Sequence, residues 1–178
     1  MPILTRCYRL CLLGLLVAII GLTGACAATA PTPEPTPTAI NDPDNPPLPS
    51  PALTPQEVVQ IQVEALQNND IPAPDSGIRT AFIFASPDNK RNTGPVERFI
   101  PLVKNPQYRA LLNARQIRIG SAQIDGRQAA VEVSLIGTDG SPARYLFLLS
   151  QQQEFPFANC WMTDSVIPLD PSLGADET

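Results

Sequence analysis

The chain has 178 residues, a net charge of −5 and no histidine. An acidic chain is a poor match for nucleic acid, because phosphate backbones are met by basic surfaces. Without imidazole there is no Ser-His-Asp or Cys-His machinery, no histidine metal ligand and no imidazole base near neutral pH.

Arg6 and Arg9 precede an uncharged apolar run, Leu10 to Leu22, and then Gly24, Ala25, Cys26, Ala27 and Ala28. A basic start, an apolar stretch and small residues are the order of a secretory signal peptide. The stretch also resembles the bacterial lipobox, in which a small residue precedes a cysteine that receives a diacylglycerol. Residues 1–25 are therefore expected to be a leader and Cys26 a lipidation site, with the membrane as the partner it reaches. Two alternatives stay open. Leu10 to Ala28 is close to the ~20 apolar residues that span a bilayer, so it fits an uncleaved anchor, and simple cleavage between Ala27 and Ala28, after Ala25-Cys26-Ala27, fits as well. All three export the rest of the chain, to the periplasm or a thylakoid lumen. Cys7 and Cys11 would leave with the leader, which isolates Cys160 and implies no internal disulfide. Cys160 reads as a small buried side chain in a strand.

Residues 26–52 are dominated by proline, threonine, asparagine and aspartate. Such a stretch cannot build a core. It reads as a disordered but stiff tether, extended by prolines that donate no backbone hydrogen bonds. Residues 53–171 hold the folded domain, and 172–178 read as a disordered tail.

Thr54, Pro55 and Glu57 form a capping box with proline at the first helical position. Val58, Ile61, Ala65 and Leu66 give the helix an apolar stripe, and Leu53 can staple against Val58. A second helix is expected from Asp75, as its cap, to a stop at Pro87, with Ile78, Ala81, Phe82 and Ala85 on one face. A third is expected to be capped by Thr93 and kinked or shortened at Pro101. One further turn follows near Tyr108. The period then changes to two. Ile117 and Ile119 are out of phase with Ala122 and Ile124, which points to a bulge at Gly120. Asp125-Gly126 and Asp139-Gly140 are turn signals. Ala129, Val131, Val133 and Leu135 alternate with polar residues. Tyr145 to Leu149 is apolar on both faces, as for a central, covered strand. The segment from Asn159 to Leu169 closes the sheet. The expected class is α+β, with N-terminal helices packed on an antiparallel sheet of about four strands.

The run Ala81-Phe82-Ile83-Phe84-Ala85-Ser86-Pro87, followed by Phe99, Val103, Tyr108 and Trp161, is similar to the domain of unknown function 4864 family. The resemblance covers Thr54 to Leu169 and is most like members from cyanobacteria and plant plastids. In many members a glycine and a cysteine follow the tryptophan, whereas here Cys160 precedes Trp161. The resemblance implies the cone of nuclear transport factor two and its relatives, with helices in the concave side of a curved sheet. Isomerases, dehydratases and binding modules share that cone, so the fold does not settle function. No catalytic residue is carried over.

Tyr145 and Asp164 are the candidates for polarising a carbonyl and moving a proton at the mouth of such a cone. Set against that, Tyr145 alternates with Phe147 and Leu149 like a core residue, and Asp164 lies between Thr163 and Ser165 like a solvated one. Lys90, Arg91, Arg98, Lys104, Arg109, Arg115 and Arg118 make the middle of the chain locally basic. They suit either a solvated face or a docking patch for an acidic partner or headgroups. Phe82, Phe84, Phe99 and Trp161 read as core. No metal constellation and no cofactor motif stand out. The expected function is a membrane-tethered, non-catalytic binding or accessory domain for an envelope or thylakoid protein. The alternative is a small-molecule-binding or isomerase-like domain. An open or a filled cavity separates the two.

Overall fold

The computed structural model describes residues 47–170. The leader, Cys26, most of the proline tract and the C-terminal tail lie outside the described residues. Ser50 to Leu53 form a turn, in which the Leu53 amide donates to the Ser50 carbonyl at 3.1 Å.

Helix α1, Pro55–Gln67, begins at the expected capping box. The Glu57 amide donates to Thr54 Oγ1 at 3.3 Å, and the Thr54 amide donates to Glu57 Oε2 at 2.7 Å. Its face carries Val58, Val59, Ile61, Val63 and Leu66 into the core. Full burial of a side chain of this kind contributes about 1.5–3 kcal/mol. Helix α2, Ser76–Ile83, follows a loop and packs hard against the end of α1. Gly77 is required there, because a Cβ would lie 2.1 Å from the Ala65 carbonyl oxygen.

Asp75 precedes α2 but does not cap it with its side chain. It sits at φ 63°, and its carboxylate pairs with Lys104 at 2.7 Å. The capping work passes to buried Asn69, at the end of α1, whose Oδ1 accepts the Ile78 amide at 3.1 Å. Pro87 does not stop α2, which ends at Ile83. It opens a separate helix α3, Pro87–Thr93, as a proline at the first helical position, with Ser86 Oγ accepting the Asn89 amide at 3.2 Å. Thr93 therefore ends one helix rather than capping the next. Helix α4, Val96–Val103, starts after Pro95 and continues through Pro101 for two more residues. A 3-10 turn, Arg109–Leu111, completes the helical part.

All strands of the described residues are antiparallel and form one open sheet: β1, Gln116–Ile119; β2, Gln123–Asp125; β3, Gln128–Ile136; β4, Pro142–Gln151; β5, Trp161–Leu169. The order is β1-β3-β4-β5, and β2 also pairs with β3. The count is five rather than four because the first expected strand breaks at Gly120. The Gly120 amide still donates to the Glu132 carbonyl at 2.8 Å, so both pieces keep the same neighbour. Strand β4 is central, as expected, but only its inner face is buried. Tyr145, Phe147 and Leu149 join Val131, Val133, Leu135 and the helices in one core, whereas Leu146 and Leu148 are half-buried on the outer face. There the neighbouring Ile167 is exposed, and Glu132 pairs with Arg144 at 2.7 Å. Phe84 and Trp161 are core residues, while Phe82 and Phe99 are half-buried with ring centroids 5.1 Å apart. Cys160 is buried immediately before β5, and burial pushes its thiol pKa up.

Candidate functional site

The junction between the helices and β4–β5 is held by Thr163. Its amide donates to the Phe84 carbonyl at 2.9 Å, and its carbonyl accepts the Ser86 amide at 2.9 Å and Asn89 Nδ2 at 3.1 Å. Its hydroxyl donates at 2.7 Å to Gln62 Oε1, and Gln62 Nε2 donates at 3.0 Å to the Ala81 carbonyl. Gln62 and Thr163 are buried, so this chain of bonds ties α1, α2 and β5 where stray polar groups would be costly. Among the described residues, no buried side-chain nitrogen or oxygen lacks a partner.

Beside this junction lies a cavity of about 280 Å³. Its apolar wall comes from Leu66 of α1, Phe99, Leu102 and Val103 of α4, Leu111 of the 3-10 turn, Phe147 of β4 and Val166 of β5. Gln62, Asn89, Asn92, Thr93, Thr163 and Asp164 give it polar lining groups. Tyr108 also lines it and is fixed by its hydroxyl, which donates to the Val166 carbonyl at 3.3 Å. An apolar pocket with a few hydrogen-bonding groups is the usual form of a small-molecule site.

Asp164 is half-buried and lines this cavity. The reason is a register shift: Leu149 pairs with Thr163 but Leu148 pairs with Ser165, leaving Asp164 as the extra residue of a bulge. A bulge breaks the alternation of side chains and re-aims them. Tyr145 is elsewhere. It is buried, its hydroxyl donates to the Gln107 carbonyl at 3.0 Å, and its ring stacks on Tyr108 at 6.4 Å. Burial, and then the neighbouring Tyr108, push its phenol pKa up. Tyr145 is absent from the cavity wall, so the two candidates do not share that surface.

The seven basic residues are spread over α3, α4, the 3-10 turn and β1 with their flanking loops. Three are already engaged. Arg91 pairs with Asp88, Lys104 with Asp75, and Lys90 Nζ donates to the Ile83 carbonyl at 3.0 Å. Lys90 also lies over the Phe82 and Phe157 rings at 5.4 and 5.6 Å, where burial lowers its pKa. Arg98, Arg109, Arg115 and Arg118 are exposed.

Sequence reasoning missed Gln62, Asn89 and Thr163. A signal existed for Gln62, which falls four residues from both Val58 and Leu66, inside the apolar stripe. Among the described residues, no cluster of three acidic or thiol side chains fit for a metal ion occurs, and no helix is long and apolar enough to cross a membrane. Over residues 51–172 the chain matches the family model of the Domain of unknown function (DUF4864). No curated protein and no solved structure shows significant similarity to it.

Proposed function

The chain belongs to the DUF4864 family, and from that premise we propose that it is a membrane-tethered, non-catalytic binding domain that takes a small ligand in the cavity between its helices and β4–β5. The observation that carries this reading is the cavity itself: about 280 Å³, mostly apolar, with hydrogen-bonding groups on its wall. It lies beside the buried Gln62–Thr163 junction, and its mostly apolar wall with a few hydrogen-bonding groups is the form that small-molecule sites usually take. The fold is read as a cone of the nuclear transport factor two kind, and the chain as a cyanobacterial or plastid-type member. Helices on one face of an antiparallel sheet support the first, and the Ala81 to Pro87 run supports the second.

The tether is lipidated Cys26, supported by the basic start, the apolar run and the small residues around it. The proline tract then holds the domain away from an envelope or thylakoid membrane, on its extracytoplasmic side. Reaction chemistry is disfavoured by the lack of histidine and by Tyr145, whose hydroxyl is spent on Gln107. An accessory role toward a protein partner is compatible with this reading, through the outer sheet face where Ile167 is exposed.

Two measurements on the full chain test the proposal. A fatty-acid probe fed to a bacterial host is expected to label the wild type and not Cys26→Ser; an unlabelled wild type removes the tether. A neutral aromatic alcohol, 4-phenylbutanol, is expected to bind saturably, and Val166→Trp, which fills the cavity, to abolish that binding. Equal binding by the filled variant removes the cavity as the site.

A further inference from the structure

The cavity carries a single formal charge. Asp164 is the only Asp, Glu, Lys or Arg among the residues that line it. Its carboxylate has no hydrogen bond or ion pair among the described residues, although basic side chains are abundant in α3 and α4. Arg91 and Lys104 are turned to Asp88 and Asp75 instead. A half-buried anion with no ion-pair partner is available to a positively charged guest, which it attracts more strongly in a partly dry pocket than in bulk water. The same unbalanced charge repels carboxylates and phosphates, for which the lining offers no cation.

The remaining lining fits the same guest. Phe99, Tyr108 and Phe147 present aromatic surface, whose negative ring faces attract ammonium groups in a partly dry site. Leu111 and Val103 offer contact for an apolar body. The amide side chain of Asn89 is engaged at both ends, its nitrogen donating to the Thr163 carbonyl and its oxygen accepting from the Thr93 hydroxyl, so Asp164 is left as the chief acceptor at the wall. One anion in an otherwise neutral, aromatic wall favours a cationic head. Resting on the cavity reading above, we infer that the ligand is a small organic amine, with its ammonium group at Asp164 and an apolar body against the rings. The bulge in β5 is then a specificity device, because it is what sets a carboxylate at the wall of an otherwise neutral pocket.

Three probes of one shape decide it: 4-phenylbutylamine, 4-phenylbutanol and 4-phenylbutyrate. Each is titrated by calorimetry into the full chain in lipid nanodiscs, with empty nanodiscs subtracted. The amine is expected to bind about tenfold or more tighter than the alcohol, as for a hydrogen bond to a charged group, and the carboxylate most weakly. Asp164→Asn is expected to bring the amine to the affinity of the alcohol and to leave the alcohol within about twofold of its wild-type value. Alcohol and amine binding alike in the wild type overturns the inference and leaves the cavity reading standing. An amine preference that survives in Asp164→Asn also overturns it. No saturable binding by any of the three overturns both. The wild-type comparison stands even where the variant is unstable.

Discussion

Helix α1 and the pair α3–α4 line the same cavity, but they are attached to the fold in different ways. Seven of the residues of α1 are buried, its N-terminus is closed by a capping box, and Gln62 bonds it to β5. Helix α3 has no buried residue, and α4 has only Val103, with no side-chain cap and a proline inside. One side of the cavity is therefore core, and the other is a thin cover held by Asn89, by half-buried Phe99 and by the Lys104–Asp75 ion pair. Burial and satisfied hydrogen bonds set local stability, so the cover is expected to open well before the wall. A site at such a seam has a fixed surface for recognition and a movable one for entry.

Substitutions on the two sides are expected to differ in size accordingly. The largest effect is Gln62→Ala. It leaves the Thr163 hydroxyl and the Ala81 carbonyl without their partner and removes buried volume, so it is expected to cost about 2–4 kcal/mol in a denaturation experiment. A loss below about 0.5 kcal/mol would mean that the wall is no firmer than an ordinary surface.

Thr54→Ala is next, at about 1 kcal/mol, the usual cost of a lost cap. It also carries a pH signature. The bonds from the Thr54 amide and hydroxyl hold the Glu57 pKa below its ordinary value. A carboxylate with a lowered folded pKa contributes stability that is full above its unfolded value and is lost as pH falls through the folded one. The difference between wild type and Thr54→Ala is thus expected to be largest near neutral pH and to shrink in acid. A difference that is constant down to acid pH would mean that the hydroxyl bond to the carboxylate contributes nothing, since the backbone amide bond to Glu57 survives in Thr54→Ala.

The smallest effect belongs to the cover. Arg91 and Asp88 are both largely exposed, so Arg91→Ala is expected to change stability by no more than about 0.5 kcal/mol and to leave ligand affinity unaltered. A clear loss of affinity would shift the functional reading toward the basic residues and away from the cavity.

What could be read in advance divides along the same line. Helix α1 is written locally: Thr54, Pro55 and Glu57 are adjacent, and the apolar stripe has one period. The β3–β4 hairpin is equally local, marked by Asp139-Gly140 and by the alternation in β3, although the continuous apolar run Tyr145 to Leu149 hides that only one face of β4 is buried. The start of α2 is not, because its cap comes from Asn69 across a loop, while nearby Asp75 is drawn away by Lys104 from α4. Ser86-Pro87 was a legible helix start, but its proline also fits a stop, and only the pairing of Ala85 with Thr163 makes it a beginning. The role of Asp164 depends on a register shift between β4 and β5, which alternation within one strand does not encode. The cavity itself is space left between four helices and two strands, and no single stretch of residues specifies it.

The central claim is that this space is the binding site. Its most direct test is to map, by methyl and aromatic NMR on the full chain, where 4-phenylbutanol perturbs the protein. The account predicts saturable shifts at Leu66, Phe99, Val103, Tyr108, Leu111 and Val166, all lost together in Val166→Trp. Shifts confined to Leu146, Leu148 and Ile167 on the outer face of the sheet, or no saturable shifts at all, would contradict it.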